Sequence, residues 1–428
     1  MRHFNGKINI PPQSAAGGLR KGFSTGSTSA AAVKASIRYY FESEKFSTVE
    51  IKMPGGENAR LNIAELEKYK PVAALDNILI SKAVLIKDSG DDIADVTGGI
   101  KICADFTVVN RKDKNVINNL KKYYEKFSVY NIIKCSLNAP GISHAVMFLA
   151  SSRGIGIAKR AGLPVKAGFP AINPVPYKMI EIAAEEELRL RAEGYEGDKI
   201  FVSVLYVPEG EEIAKKTLNP RLGIEGGISI LGTTGYVVPI STKAWLETIK
   251  ACLNFLSENK IDTCVFTPGR YSEKTALKIF KNLHRESFIE IGDYVAYSVR
   301  KAVKFGIKNI VFISQFGKIV KIAQGARNTN AKYGALDLDF LGRTAKEATC
   351  NINVNIAGLI YRRIINSNTS REAYEHITSD HFSIYSDSIL SAVLKKAAEN
   401  LSKTAGKNVN IEIILISYDG DEIKKERL

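Results

Sequence analysis

Residues 219–241 read NPRLGIEGGISILGTTGYVVPIS, with five glycines, two adjacent threonines and two prolines around one short apolar run. Glycine lacks a Cβ, so it lets a second backbone or a ligand come close and lets φ turn positive. Downstream the pattern becomes a repeat: TCVFTP then SEKTALKIFKNLH, SFIEIG then DYVAYSVRKAVKFG, NIVFIS then further helical sequence. Apolar strands alternating with helices imply a parallel, doubly wound sheet. If ISIL is the first strand of that sheet, Gly232-Thr233-Thr234-Gly235 is the loop after it and PISTKAWLETIKACLNFLSEN supplies the next helix. Ligands bind such sheets beyond the carboxyl ends of the strands. The loop then reads either as a cofactor site of nucleotide type or as a tight structural turn. It is not GxGxxG, and no acidic residue closes TCVFTP in the dinucleotide manner.

This reading puts a domain boundary near residue 220. A chain of 428 residues exceeds one ordinary core. The expectation is two domains: residues 1–219 as an N-terminal α+β domain carrying substrate loops, and residues 220–428 as a C-terminal Rossmann-like α/β domain carrying the cofactor.

Three landmarks stand in the N-terminal half. SAAAVKASIRYYFE (29–42) is alanine-rich and reads as a helix. Its entry, GLRKGFSTGST, offers N-cap oxygens at Ser24, Thr25, Ser27 and Thr28 and glycines that can bare helix amides, so it is either an anion site or an ordinary capped helix. LIKDSGDDIADVTGGIKICADF (85–106) reads as two strands joined by a loop with Asp88, Asp91, Asp92 and Asp95. Those carboxylates decorate a turn or face a substrate, and their spacing does not fit the calcium loop. In RGIGIAKRAGLPVKAGFPAINPVPYKMIEIAAEEELRLRAEG (153–194), Pro170, Pro174 and Pro176 fix an extended backbone that presents Asn173 rigidly, ahead of a helix beginning after Pro176. IFVSVLYVP (200–208) alternates as a strand.

Composition limits the function classes. Hydrophobic residues make 45% and charged residues 25% of the chain, as in a water-soluble globular protein. No apolar run reaches about 18 residues and the start lacks the apolar core of a secretory signal, so no membrane partner and a cytoplasmic location are expected. The cysteines Cys103, Cys135, Cys252, Cys264 and Cys350 are odd in number and contain no CxxC pair, which argues for reduced thiols. The histidines His3, His144, His284, His376 and His381 lack metal-ligand spacing, so no protein-bound metal is expected. A net charge of +15 draws anions. The basic residues are scattered rather than gathered on an arm or interleaved with aromatics, which favours solvated surface or a small polyanion over nucleic acid.

Five pieces taken in order, GLRKGFSTGSTSAAAVKAS, KDSGDDIADVT, AGLPVKAGFPAINPVP, KKTLNPRLGIEGGISILGTTGYVVPIS and, more weakly, FGKIVKIAQGARNT, give the chain a resemblance. Over most of its length it resembles the cobalt-precorrin-5B C1-methyltransferase family of anaerobic cobalamin biosynthesis. The resemblance implies methyl transfer from S-adenosylmethionine to ring carbon C1 of a cobalt-containing tetrapyrrole bearing many carboxylates. Such a partner also suits the positive charge, cobalt would arrive inside the substrate, and a homo-oligomer is compatible.

With that reaction in view, Gly227, Ser229, Gly232, Thr233, Thr234 and Gly235 are the expected cofactor contacts, and Asp91 or Asp92 the expected general base. Arg20, Lys21, Lys166 and Arg221 are the candidates for substrate carboxylates, with Thr25, Asn173 and Asn219 as further substrate contacts. The chain departs from the family pattern at Thr28 (commonly cysteine), Phe169 (glutamate), Tyr177 (arginine), Gln315 (histidine, at or near it) and Asn330 (histidine). An Asn-Phe-x-Gly pattern stands altered as Asp293-Tyr294-Val295-Ala296. These departures keep a paralogue with another acceptor as the alternative. A nicotinamide-dependent oxidoreductase and a nucleic-acid-binding protein rank below, since neither accounts for the ordered motifs.

Overall fold

A computed structural model describes residues 18–71, 78–110, 114–136, 144–192, 199–239, 241–351, 354–406 and 408–428. The opening segment with His3 lies outside the described residues, as do the side chains of Cys135 and His144. The chain forms two compact units, Met1–Ser241 and Thr242–Leu428.

Unit 1 is built on a mixed sheet of six strands: β1 (Glu65–Tyr69), β2 (Ile80–Ile86), β3 (Lys101–Asn110), β4 (Ser128–Ser136), β5 (His144–Ser151) and β6 (Lys199–Tyr206). Their order is β1-β2-β3-β6-β5-β4, antiparallel except for the parallel pair β6/β5. The two strands read around the acidic loop are β2 and β3, paired from Ser81↔Phe106 to Ile86↔Lys101. Side chains alternate along β3. Ile102, Ala104 and Phe106 join the core that holds α1 (Thr25–Phe41) and α3 (Pro174–Arg191), whereas Val109 joins a second cluster with Leu120 of α2 (Lys114–Tyr123) and with Tyr124 on the other side. On α1 the buried run Ala30-Ala31-Ala32-Val33 places small side chains throughout one turn, allowing close packing in that core.

α3 begins earlier than the prolines suggest. Pro174 and Pro176 occupy its first turn, where a missing N–H costs nothing, and Asn173 is its N-cap residue rather than part of an extended connector.

Unit 2 carries β7 (Thr263–Thr267), β8 (Phe288–Glu290), β9 (Asn309–Ser314), β10 (Asn410–Ile416) and β11 (Glu422–Arg427) in the order β8-β7-β9-β10-β11. The first four run parallel and β11 closes one edge antiparallel. Helices Thr242–Glu258, Arg270–Ile279 and Val295–Lys304 fall where the repeating pattern puts them.

The boundary and the role of the glycine stretch differ from the sequence expectation. ISIL is not a strand of the parallel sheet, and 220–241 belong to unit 1, so the division falls at 241/242 instead of 219/220. Gly227–Ile228 pairs in parallel with Gly154–Ile155, Ile224–Glu225 pairs with Ile157–Ala158, and Tyr236–Val237 pairs with Gly22–Phe23. Ile228 and Ile230, 1% and 0% exposed, are buried in unit 1's core, which is what draws the stretch there.

Candidate functional site

The segments read as motifs meet in unit 1 through short backbone pairings. Lys21 bridges Gly90, and Gly22–Phe23 lies beside Tyr236–Val237, so 18–24, 88–92 and 231–237 form one surface. Ile157 bridges Pro170 and Ile172 bridges Ile230, which brings 154–158, 170–173 and 224–230 together. The two groups join where Gly26 N donates to Leu231 O at 2.9 Å.

At the first surface Arg20 N donates to Asp91 Oδ2 at 2.7 Å, and Asp91 N donates back to Arg20 O at 3.0 Å. The Arg20 guanidinium forks onto Asp88, with Nη2 donating to Oδ1 at 2.8 Å and Nη1 to Oδ2. Burial pushes the Asp88 carboxyl up, but Arg20 and the Gly90 N–H outweigh it and hold the group below its usual range. Arg20 is thus spent on Asp88 and is not a free receptor for a substrate carboxylate. Lys87, 2% exposed, pairs with Asp95, which also accepts from Thr97 N at 3.0 Å. Asp91 is exposed and Asp92 half-buried, the latter accepting from Ala94 N at 3.0 Å. The loop holds its four carboxylates apart in role: Asp88 and Asp95 anchor it, while Asp91 and Asp92 are presented.

The helix entry is not an open anion site. Ser24, Thr25, Ser27 and Thr28 are all buried. Ser27 N donates to Ser24 Oγ at 3.1 Å, and Gly26 N is taken by Leu231 O. The Gly26, Ser27 and Thr28 amides that would greet an anion are satisfied from within.

The expected cofactor contacts divide. Asn219 Nδ2 donates to Gly227 O at 2.9 Å and Asn219 Oδ1 accepts from Ser229 Oγ at 3.1 Å, all buried. Gly235 O accepts from Ser24 N at 2.9 Å and Ser27 Oγ at 2.6 Å. The Thr25 hydroxyl accepts from Leu231 N at 2.8 Å and faces Ser229 O and Leu231 O at 3.1 and 3.2 Å. A Cβ on Gly227 would stand 2.2 Å from Gly154 C, and one on Gly232, at φ +132°, would stand 2.3 Å from Ser24 Oγ. The glycines therefore admit other backbone and side-chain atoms of the chain. Gly227, Ser229, Gly235, Thr25 and Asn219 are internal, whereas Thr233 and Thr234 are exposed and Gly232 is half-buried. Thr25→Val strips the Leu231 N–H of its partner and is expected to cost about 2 kcal/mol, about 4–8 °C in Tm, read by thermal melting.

Among the remaining candidates Lys166 is exposed, while Lys21, Asn173 and Arg221 are half-buried. The Asn173 side chain does not cap α3. Lys21 Nζ lies 5.9 Å from the Tyr236 ring centroid, an aromatic contact the sequence reading missed although Tyr236 directly follows the glycine loop. In unit 2, Asp293 accepts from Thr329 Oγ1 at 2.7 Å, from Asn330 Nδ2 at 3.0 Å and from Lys318. Two altered positions, Asp293 and Asn330, are thus bonded to each other. Thr28 donates to Ser24 O at 2.9 Å, Tyr177 packs 5.4 Å from Tyr130, and Phe169 is exposed.

Among the described residues no group of three or more His, Cys, Asp or Glu is placed to hold a metal, and no helix is long and apolar enough to cross a membrane.

Residues 12–239 match the CbiD family and residues 328–427 match the CbiD C-terminal domain. A curated relative from Picrophilus torridus, named cobalt-precorrin-5B C(1)-methyltransferase, is 33% identical over 94% of this chain and 99% of its own length. Relatives of the same name from Leptospira borgpetersenii and Geobacter metallireducens are each 30% identical, covering 95% and 94% of this chain and 95% and 97% of their own. A crystal structure of a cobalamin biosynthesis protein (cbiD) from Archaeoglobus fulgidus is 26% identical, with a TM-score of 0.34 over 75% of this chain and 85% of that one. Ordered motifs, domain matches and near full-length identity agree: this chain belongs to the CbiD family.

Proposed function

We propose that this chain transfers a methyl group from S-adenosylmethionine to C1 of cobalt-precorrin-5B in anaerobic cobalamin biosynthesis. The observation that carries the reading is the meeting of four ordered motifs on the short pairings of unit 1. Support comes also from near full-length similarity to relatives named for this reaction. S-adenosylmethionine supplies an electrophilic methyl: its carbon–sulfur bond breaks as the carbon–carbon bond forms, and the electron pair stays on the departing thioether.

The chain's own residues have to align acceptor and donor and move a proton. We assign the general base to Asp91 or Asp92, carried on a loop braced by Arg20–Asp88 on one side and Lys87–Asp95 on the other. Gly232, Thr233 and Thr234 offer backbone and hydroxyls to the methionine or adenosine part. Gly227, Ser229, Gly235, Thr25 and Asn219 act by holding that segment in place. Lys21, Lys166 and Arg221 meet substrate carboxylates, and Asn173 offers its amide. Unit 2 is read as a Rossmann-like domain on its parallel strands, whose order reverses between β7 and β9.

The test is anaerobic incubation with S-adenosylmethionine labelled in its methyl group, with and without cobalt-precorrin-5B, following product mass. Label in the corrinoid is the expected result. No label with donor binding intact would favour another acceptor, the reading that exposed Phe169 in place of the family's glutamate supports. Of Asp91→Asn and Asp92→Asn, one is expected to lower kcat by about 10²-fold or more with donor affinity unchanged. Normal kcat in both would remove the base from this loop.

A further inference from the structure

On the face of the unit 1 sheet away from α1 and α3, a cavity of about 260 Å³ lies over Asp105 of β3. It is smaller than the roughly 300–1,000 Å³ clefts that take drug-sized ligands, so it does not admit a tetrapyrrole. Asp105 is 2% exposed. The hydroxyls of Tyr69 and Tyr124 donate to its Oδ2, each at 2.8 Å, and Tyr206 donates to Oδ1 at 3.3 Å. Tyr123 completes the wall: its ring meets that of Tyr124 edge to face, at 85° and 4.9 Å between centroids.

The phenols supply hydrogen bonds but no charge. Among the described residues Asp105 has no ion pair. Lys82, its cross-strand neighbour, turns its ammonium to Glu65 at 3.4 Å and Glu67 at 3.7 Å. At the rim the exposed Glu125 and Arg153 offset one another, so selectivity comes from inside. Burial pushes the Asp105 carboxyl up against the pull of the three phenols and the more distant Lys82, the mark of a carboxylate short of a counter-charge. A hard metal ion is poorly matched, because the carboxylate oxygens already accept phenol protons and the walls are protonated phenols instead of bare oxygen ligands. Tyrosine rings lining a cavity over a buried acid match an alkylated ammonium group.

We infer that the Asp105–tyrosine cavity is a binding site for a small organic ammonium ion, separate from the methyl-transfer residues.

The test uses the full chain and tetramethylammonium chloride, titrated calorimetrically at constant ionic strength, with sodium chloride and tert-butanol as controls for charge and shape. Saturable binding of tetramethylammonium alone is expected. Tyr123→Leu alters a side chain that is 42% exposed and should fold normally. It is expected to weaken binding about 5-fold or more, and Asp105→Asn about 10-fold or more. Absence of saturable binding, equal binding of tert-butanol, or an unchanged affinity in Tyr123→Leu overturns the inference. Should Asp105→Asn fail to fold, the Tyr123→Leu titration decides alone.

Discussion

Gly154→Ala is expected to lower the melting temperature by roughly 10 °C. Gly154 sits at φ +77°, where an L side chain is strained, and a Cβ there would stand 1.8 Å from Val207 O. Neither neighbour can yield cheaply. Val207 N is tied to Arg153 O at 3.1 Å, and Gly210, whose own Cβ would meet Gly154 O at 2.1 Å, starts the next helical turn. Gly227 approaches the same point from the third side. Left-handed strain costs about 1–3 kcal/mol and overpacking against fixed atoms about 1–3 kcal/mol more. At about 2–4 °C per kcal/mol the sum exceeds any surface change. Gly168→Ala is the control. Its φ of +88° carries the same strain, but nothing lies within 4 Å of its Cβ, so only the strain is paid. Equal Tm losses in the two variants would show that the three-glycine junction is not tightly packed.

That junction also explains where reading the sequence succeeds. Strands β7, β8 and β9 of unit 2 and the helices Thr242–Glu258, Arg270–Ile279 and Val295–Lys304 are legible because each carries its own periodicity and the strands pair with neighbours a crossover away. The pairings of 224–237 are two residues long and reach partners near residues 22 and 155, so no local period announces them. ISIL therefore reads as part of the nearest repeating pattern. The acidic loop is legible as a loop, but its division into anchors and presented groups is not, since aspartates of one type differ only in whether the Arg20 guanidinium and the Lys87 ammonium reach them. Thr25 and Thr233 pose the same problem. A hydroxyl capable of binding a ligand is equally capable of binding backbone, and only burial distinguishes the two. Asp105 has no sequence signal at all, because its phenol partners come from positions 69, 124 and 206.

Asp95→Ala is expected to destabilise the protein by about 3–5 kcal/mol, because it leaves the buried Lys87 ammonium without a counter-ion. The converse is milder. Lys87→Met removes the more deeply buried charge and fills its space with an apolar chain, while the Asp95 side chain, 15% exposed, keeps the Thr97 hydroxyl and amide as donors. Denaturant titration should therefore rank Asp95→Ala well below Lys87→Met, and the double variant should recover most of the difference. The pair also sets an acid limit. Burial pushes the Asp95 carboxyl up, but Lys87 and Thr97 outweigh it and hold the group below the ordinary 3.8. A depressed folded value means that this stabilisation is fully present above the ordinary value and is lost as pH falls through the lower one. In Lys87→Met that acid loss should start at higher pH, because the charge that lowers the carboxyl is gone. An unshifted acid limit, or equal destabilisation by the two single variants, would show that the pair does not hold the 87–99 loop. Asp91 and Asp92 would then have to be positioned by Arg20 alone.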